Sequence, residues 1–190
     1  MTELEALLHE RERPLSVSEY EALARTGAFQ NERVELVRGR LIRMAPQGEE
    51  HAWTVQSMNR LLMKAFGERA DLRPQLPMRA AGDSMPEPDF TLVERTDEPG
   101  PHPSRVFLVI EVSDSSLRYD RSIKAPLYAE GTTPEYWIVN TAAGQLEVFR
   151  KPVDGVFTEH FVLGREDVIR PVAFPDIEFP LKPFLLARPH

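Results

Sequence analysis

At 190 residues the chain is long enough for one domain with its own core, and the absence of cysteine excludes disulfides, thiolate nucleophiles and cysteine-based zinc sites. Thirty acidic residues against 23 basic ones give a formal net charge of −7, which excludes nucleic-acid binding by bulk attraction but not a local basic patch. No apolar run approaches the ~20 residues of a membrane span, and the polar start Met1–Arg13 lacks a signal peptide's apolar segment. The expectation is a single cytoplasmic domain over residues 1–190 with no membrane partner.

Taken in chain order, residues 1–14 are polar and predicted to fray. Ser16-Val-Ser-Glu19 is a capping-box pattern that predicts a helix from Val17 to about Arg25, closed by Gly27. Val34–Met44 alternates apolar residues around Arg38-Gly39 and predicts a hairpin, with Glu35 interrupting its first strand. After the loop Pro46–Glu50, helical spacing runs from His51 to about Phe66, with Val55, Met58, Leu62, Ala65 and Phe66 on one stripe. A histidine heading such a stripe reads first as a capping or core-edge residue. Leu72–Ala80 is a strand pattern broken by Pro74 and Pro77, which suits a sheet edge.

Two further strand patterns, Asp89–Val93 and Val106–Val112, flank a Pro- and Gly-containing connection from Asp97 to Ser104. Glu111 is the only ionisable residue of the second, and a carboxylate in a buried run costs free energy unless it has a partner. Antiparallel pairing with Val93 near Arg105–Phe107 places Asp89 opposite Glu111, with Cβ atoms roughly 5 Å apart on one face. Two such acids repel unless one is protonated or a metal bridges them. Read alone, they serve equally as loop caps or as partners for nearby arginines.

Ser113–Tyr119 is polar and predicted to be loop or helix cap. Pro126 is tolerated only near a first turn or a kink, so the next helix is predicted from about Ser122 to Gly131. Asp120 and Lys124 are four apart, the spacing of an exposed pair contributing roughly 0.3–0.5 kcal/mol. Arg118, Arg121 and Lys124 form a basic line that reads either as a solvated face or as contacts to substrate phosphates. Glu135–Val139 and Gln145–Arg150 predict a hairpin around Ala143-Gly144, and Val156–Leu163 a further strand. Val168–Leu186 alternates proline with apolar residues and is predicted to wrap the sheet. Tyr128 and Trp137 stand at core spacing.

Pro88-Asp89, Glu111-Val112-Ser113, Asp120, Lys124, Tyr128, Gly131 and Glu135-Tyr136-Trp137, in that order, resemble the Uma2 (formerly DUF820) family of the PD-(D/E)XK nuclease superfamily. The resemblance covers about Glu35 to Phe184. It implies an α/β fold of the restriction-endonuclease-like type, a mixed β-sheet flanked by helices with additional N- and C-terminal strands. It also implies an endonuclease acting on DNA with magnesium, or manganese, held by Asp89 and Glu111.

In that resemblance Val34–Met44 corresponds to the "ELxxGxLxxM" hairpin, whose glutamate makes Glu35 a third acid. Arg38 departs from the usual acidic residue there. The superfamily's lysine position is Ser113, and Lys124 is the implied substitute, expected to stay protonated and stabilise charge. His51 is implied near the cleft, positioning a phosphate or water. RNA and single strands would share such a site, and a homodimer is expected where two strands are cut. The alternative is a catalytically inert nuclease fold that binds nucleic acid or protein.

Overall fold

A computed structural model describes residues 12–187. Helix α1 (Val17–Arg25) begins at the expected capping box: Ser16 Oγ accepts from the Glu19 N–H, and the Glu19 carboxylate accepts from the Ser16 N–H. Most of the segment expected to fray lies outside the described residues; at its end, Glu12 pairs with Arg40 and Arg13 with Glu19.

Strands β1 (Val34–Val37) and β2 (Arg40–Arg43) form the expected hairpin. Arg38 and Gly39 turn it with φ of 50° and 73°, the left-handed pair that matches strand twist. Gly39 is further required because a Cβ there would lie 2.2 Å from Pro14. The hairpin is tied on through Leu36, whose N–H and C=O both bond Met85.

Helix α2 (Glu49–Phe66) follows and buries Met58, Leu62 and Phe66. The central sheet has the order β3-β4-β5-β6-β7-β8. Its strands are β3 (Asp71–Pro74), β4 (Phe90–Val93), β5 (Leu108–Ser113), β6 (Glu135–Asn140), β7 (Gln145–Val153) and β8 (Val156–Leu163). Prolines leave β3 at the edge, as expected. All neighbours are antiparallel except β5 and β6. A parallel pair needs a crossover, and a helical segment supplies it.

That segment begins earlier than Pro126 led us to expect. It comprises α3 (Leu117–Tyr119), a π-helical turn (Asp120–Lys124) and α4 (Ala125–Glu130). Pro126 lacks the N–H that would close an α-turn on Ser122, and its ring would crowd that carbonyl. The wider turn, closed by Ala125 N–H on the Asp120 carbonyl, relieves both.

Alternation along β5 sorts the two faces. Leu108, Ile110 and Val112 join Trp137, α2 and the C-terminal tail in one core; Val109 joins Tyr136, Ile138, Ala125 and Tyr128 in the other. Glu111 therefore points towards α4. Trp137 is fully buried with its N–H on Glu135, as core spacing implied. In the tail, β9 (Val168–Ile169) pairs with β10 (Phe179–Pro180), and Phe174, Leu181 and Phe184 cover the α2 side of the sheet. The expected mixed sheet with additional N- and C-terminal strands is thus present. No helix among the described residues is long and apolar enough to cross a membrane.

Candidate active site

The register is the expected one: Phe90 faces Ile110, Thr91 faces Val109 and Leu92 faces Leu108. Asp89 lies one residue before β4 and continues that register to Glu111, whose Oε2 accepts from the Asp89 N–H at 3.4 Å. Three elements then close a cavity of about 350 Å³ around these acids. The β1 strand brings Glu35, α2 brings His51, and the π turn brings Asp120 and Lys124.

Lys124 is buried and sits among carboxylates, its Nζ 2.8 Å from Glu111 Oε1 and 3.2 Å from Glu35 Oε2. The exposed Asp120–Lys124 pair that their spacing also allows does not form. Asp120 is buried as well and accepts from Ser113 Oγ at 2.5 Å and Ser116 Oγ at 2.6 Å. Ser113 thus supports the helix start, and Lys124 reaches the acids from the helix.

Asp89 is tightly held. Its Oδ2 accepts from the Val112 N–H at 2.8 Å and lies 3.2 Å from His51 Nε2; its Oδ1 accepts from Gln75 Nε2 at 3.2 Å. His51 is therefore a carboxylate partner at the cleft wall rather than a core-edge residue, and its buried Nδ1 meets no partner among the described residues. Gln75 escaped notice in the sequence because the prolines around it signal only an edge. It holds a left-handed φ of 51°, which turns its side chain back to Asp89.

Tyr128, expected as core, is fully buried but donates its hydroxyl to Glu111 Oε1 at 2.8 Å. It lies four residues after Lys124, one turn along the same helical face, and a buried tyrosine hydroxyl needs an acceptor. Tyr119 adds a 3.4 Å bond to Glu35 Oε1.

Two expected phosphate contacts lie elsewhere. Arg121 donates to buried Glu147 on β7 at 2.8 and 2.6 Å, and Arg118 is exposed; neither lines the cavity. The spacing of Arg118, Arg121 and Lys124 could not show that only the last turns inward.

Charge is out of balance in this cleft. Glu35, Asp89, Glu111 and Asp120 are all buried around one buried lysine and His51, and the wall adds Glu87 and Asp114 against Arg33 and Arg43. Burial pushes the Glu111 carboxyl up to about 8; Lys124 partly offsets this, while Asp120, Asp89 and Glu35 add to it. Asp120 is also raised, by burial first. Burial would raise Asp89 too, but His51, the Val112 N–H and Gln75 outweigh it and hold that carboxyl below its ordinary value. Burial alone would lower His51 and Lys124. Asp89 raises the former on balance, and Glu111, Glu35 and Asp120 raise the latter, so Lys124 stays charged. Of the facing pair, burial pushes Glu111 up while Asp89 is held down by its hydrogen-bond partners.

Among the described residues, no three His, Asp or Glu side chains gather closely enough to cage a metal by themselves. Magnesium does not ask for that: it binds through one or two carboxylates and keeps several waters. Asp89 and Glu111 are hard oxygen donors in a cleft with surplus buried negative charge, and they fit such an ion.

The mixed sheet flanked by helices, with an acidic cleft and inward lysine beside its parallel strand pair, is the architecture of the restriction-endonuclease-like class. A crystal structure of a putative nuclease belonging to DUF820 from Anabaena variabilis ATCC 29413 superposes with a TM-score of 0.70 at 15% identity, over 90% of this chain and 98% of that one. The model of the Uma2 family, described as "putative restriction endonuclease", matches residues 17–182, and the chain belongs to that family. No match was found among curated proteins.

Proposed function

We propose that this protein is a magnesium-dependent endonuclease that hydrolyses phosphodiester bonds in DNA. One observation carries the proposal: a buried, charged lysine and two register-matched acids meet in an open cavity whose negative charge exceeds its positive charge. Asp89 and Glu111 would hold magnesium or manganese, which supplies charge stabilisation at the phosphate and a water acidic enough to attack near neutral pH.

The chain's own residues do the rest. Lys124 presents a fixed positive charge from a buried position, where it can stabilise charge developing in the transition state. Glu35 is anchored through the Glu87 N–H at 3.2 Å and Lys124, and so can orient the attacking water or take its proton. Val112, Gln75 and His51 keep Asp89 ionised, and Tyr128 fixes Glu111. A cytoplasmic setting suits the cysteine-free chain. A homodimer would present two such sites to a duplex.

The inert-module alternative has one observation in its favour. Lys124 already satisfies Glu111 Oε1, an oxygen a metal would use. Cleavage of supercoiled plasmid, linear duplex, single strands and RNA, with magnesium, manganese or chelator, separates the two readings. Expected is divalent-dependent DNA cleavage in which Lys124→Ala slows single-turnover cleavage roughly 10²- to 10³-fold, the loss typical of one electrostatic donor. Cleavage of none of the four substrates leaves the inert module.

A further inference from the structure

With Arg118 and Arg121 turned away, the flanking phosphates of a substrate need other partners, and the β1–β2 hairpin offers them. Side chains alternate along a strand, so Arg33 shares a face with Glu35 two residues on, and on the paired strand Ile42 and Met44 share it too. All four line the acidic cavity.

A second cavity, of about 830 Å³, adjoins the first and reaches out to the segment containing Ala28, Asn31 and Glu32. The two share one wall: Arg33, Arg43, Met44, Ala45, Pro46 and Gln47. A groove therefore runs from the buried acids to the surface, and its shared wall carries two arginines.

Neither arginine is firmly committed. Arg33 is 3.4 Å from Glu87, and Arg43 is 3.0 Å from Glu32, with side-chain exposures of 47% and 78%. Exposed pairs of this kind contribute little. A guanidinium meeting a phosphate in a two-pronged, charge-assisted contact gains more than that. Arg121 differs, because both its donated bonds end on a buried carboxylate.

We infer that one strand of the nucleic-acid substrate runs along this groove over the β1–β2 hairpin, with Arg33 and then Arg43 gripping the phosphates next to the one being cut. The inference rests on the nuclease reading and supplies its substrate path. Glu87 and Glu32 act as resting partners that the phosphates displace.

Binding of a fluorescein-labelled oligonucleotide, single-stranded and duplex, followed by anisotropy across a salt series tests this. Calcium replaces magnesium as a cation that also takes oxygen ligands. Arg33→Ala and Arg43→Ala should each weaken binding several-fold and lower the salt slope by about 0.7 for a single strand or about 0.9 for a duplex. Arg33→Lys keeps the charge and should keep the slope, whereas Arg118→Ala should change neither quantity. Wild-type binding with unchanged slopes in both alanine variants overturns the groove and leaves the nuclease reading intact. Failure of the wild type to bind either oligonucleotide overturns both.

Discussion

Glu111 is the residue on which the electrostatics of the cleft turn. Its folded-state carboxyl titrates near 8 instead of the ordinary 4.5, so the folded protein holds that proton more tightly than the unfolded chain does. The resulting stability is complete below about 4.5 and is lost as pH rises through about 8. Asp89 has the opposite sign: its contribution is present above its ordinary 3.8 and is lost as pH falls through its depressed value. The two windows do not overlap. In chelator, the melting temperature of the wild type should therefore fall between about pH 5 and 8, and Glu111→Gln should flatten that fall. An equal slope in both proteins would mean that Glu111 is not the proton-binding acid. The facing of Asp89 and Glu111 was legible because strand alternation has a fixed period, so one plausible register decides which side chains meet. Which of the two would be strained was not legible, since it depends on His51 and Gln75 arriving from distant segments.

At the scale of the element, the π turn carries the lysine. Spacing alone left Asp120 and Lys124 open to an exposed pair; the wide turn before Pro126 instead buries both, one on Ser113 and Ser116, the other on Glu111 and Glu35. Pro126 permits either a first turn or a kink, and here it sits after a wide turn inside a helical segment that starts at Leu117, not Ser122. Arg121 lies within this turn and is bolted to Glu147, which Asn140 also holds at 3.2 Å. That pair is a strut between the turn and β7. Arg121→Ala should slow single-turnover cleavage by misplacing Lys124 while leaving oligonucleotide affinity and its salt slope unchanged. A lower slope with an unchanged rate would instead return Arg121 to the phosphate contacts. The hairpins, by contrast, were legible almost to the residue, since Arg38-Gly39 and Ala143-Gly144 are punctuated by glycines in left-handed conformations.

Across the whole molecule, a net charge of −7 and a core split over two faces of one sheet serve a single arrangement. Strands β4 and β5 place two acids at one end, and a hairpin and two helical segments close over them with a third acid, a fourth and a lysine. Because such a cleft is short of positive charge, a divalent ion should stabilise the fold, by about 2.7 kcal/mol at a hundredfold excess over its dissociation constant. Melting curves of the wild type and Asp89→Asn, each in chelator and in magnesium, measure this without any assumption about substrate. Asp89 is well satisfied by hydrogen bonds, so the variant should already melt lower in chelator. The decisive quantity is the shift caused by magnesium: a clear rise expected for the wild type and little or none for Asp89→Asn, with equal shifts, or no shift in either protein, contradicting a metal site built on Asp89 and Glu111.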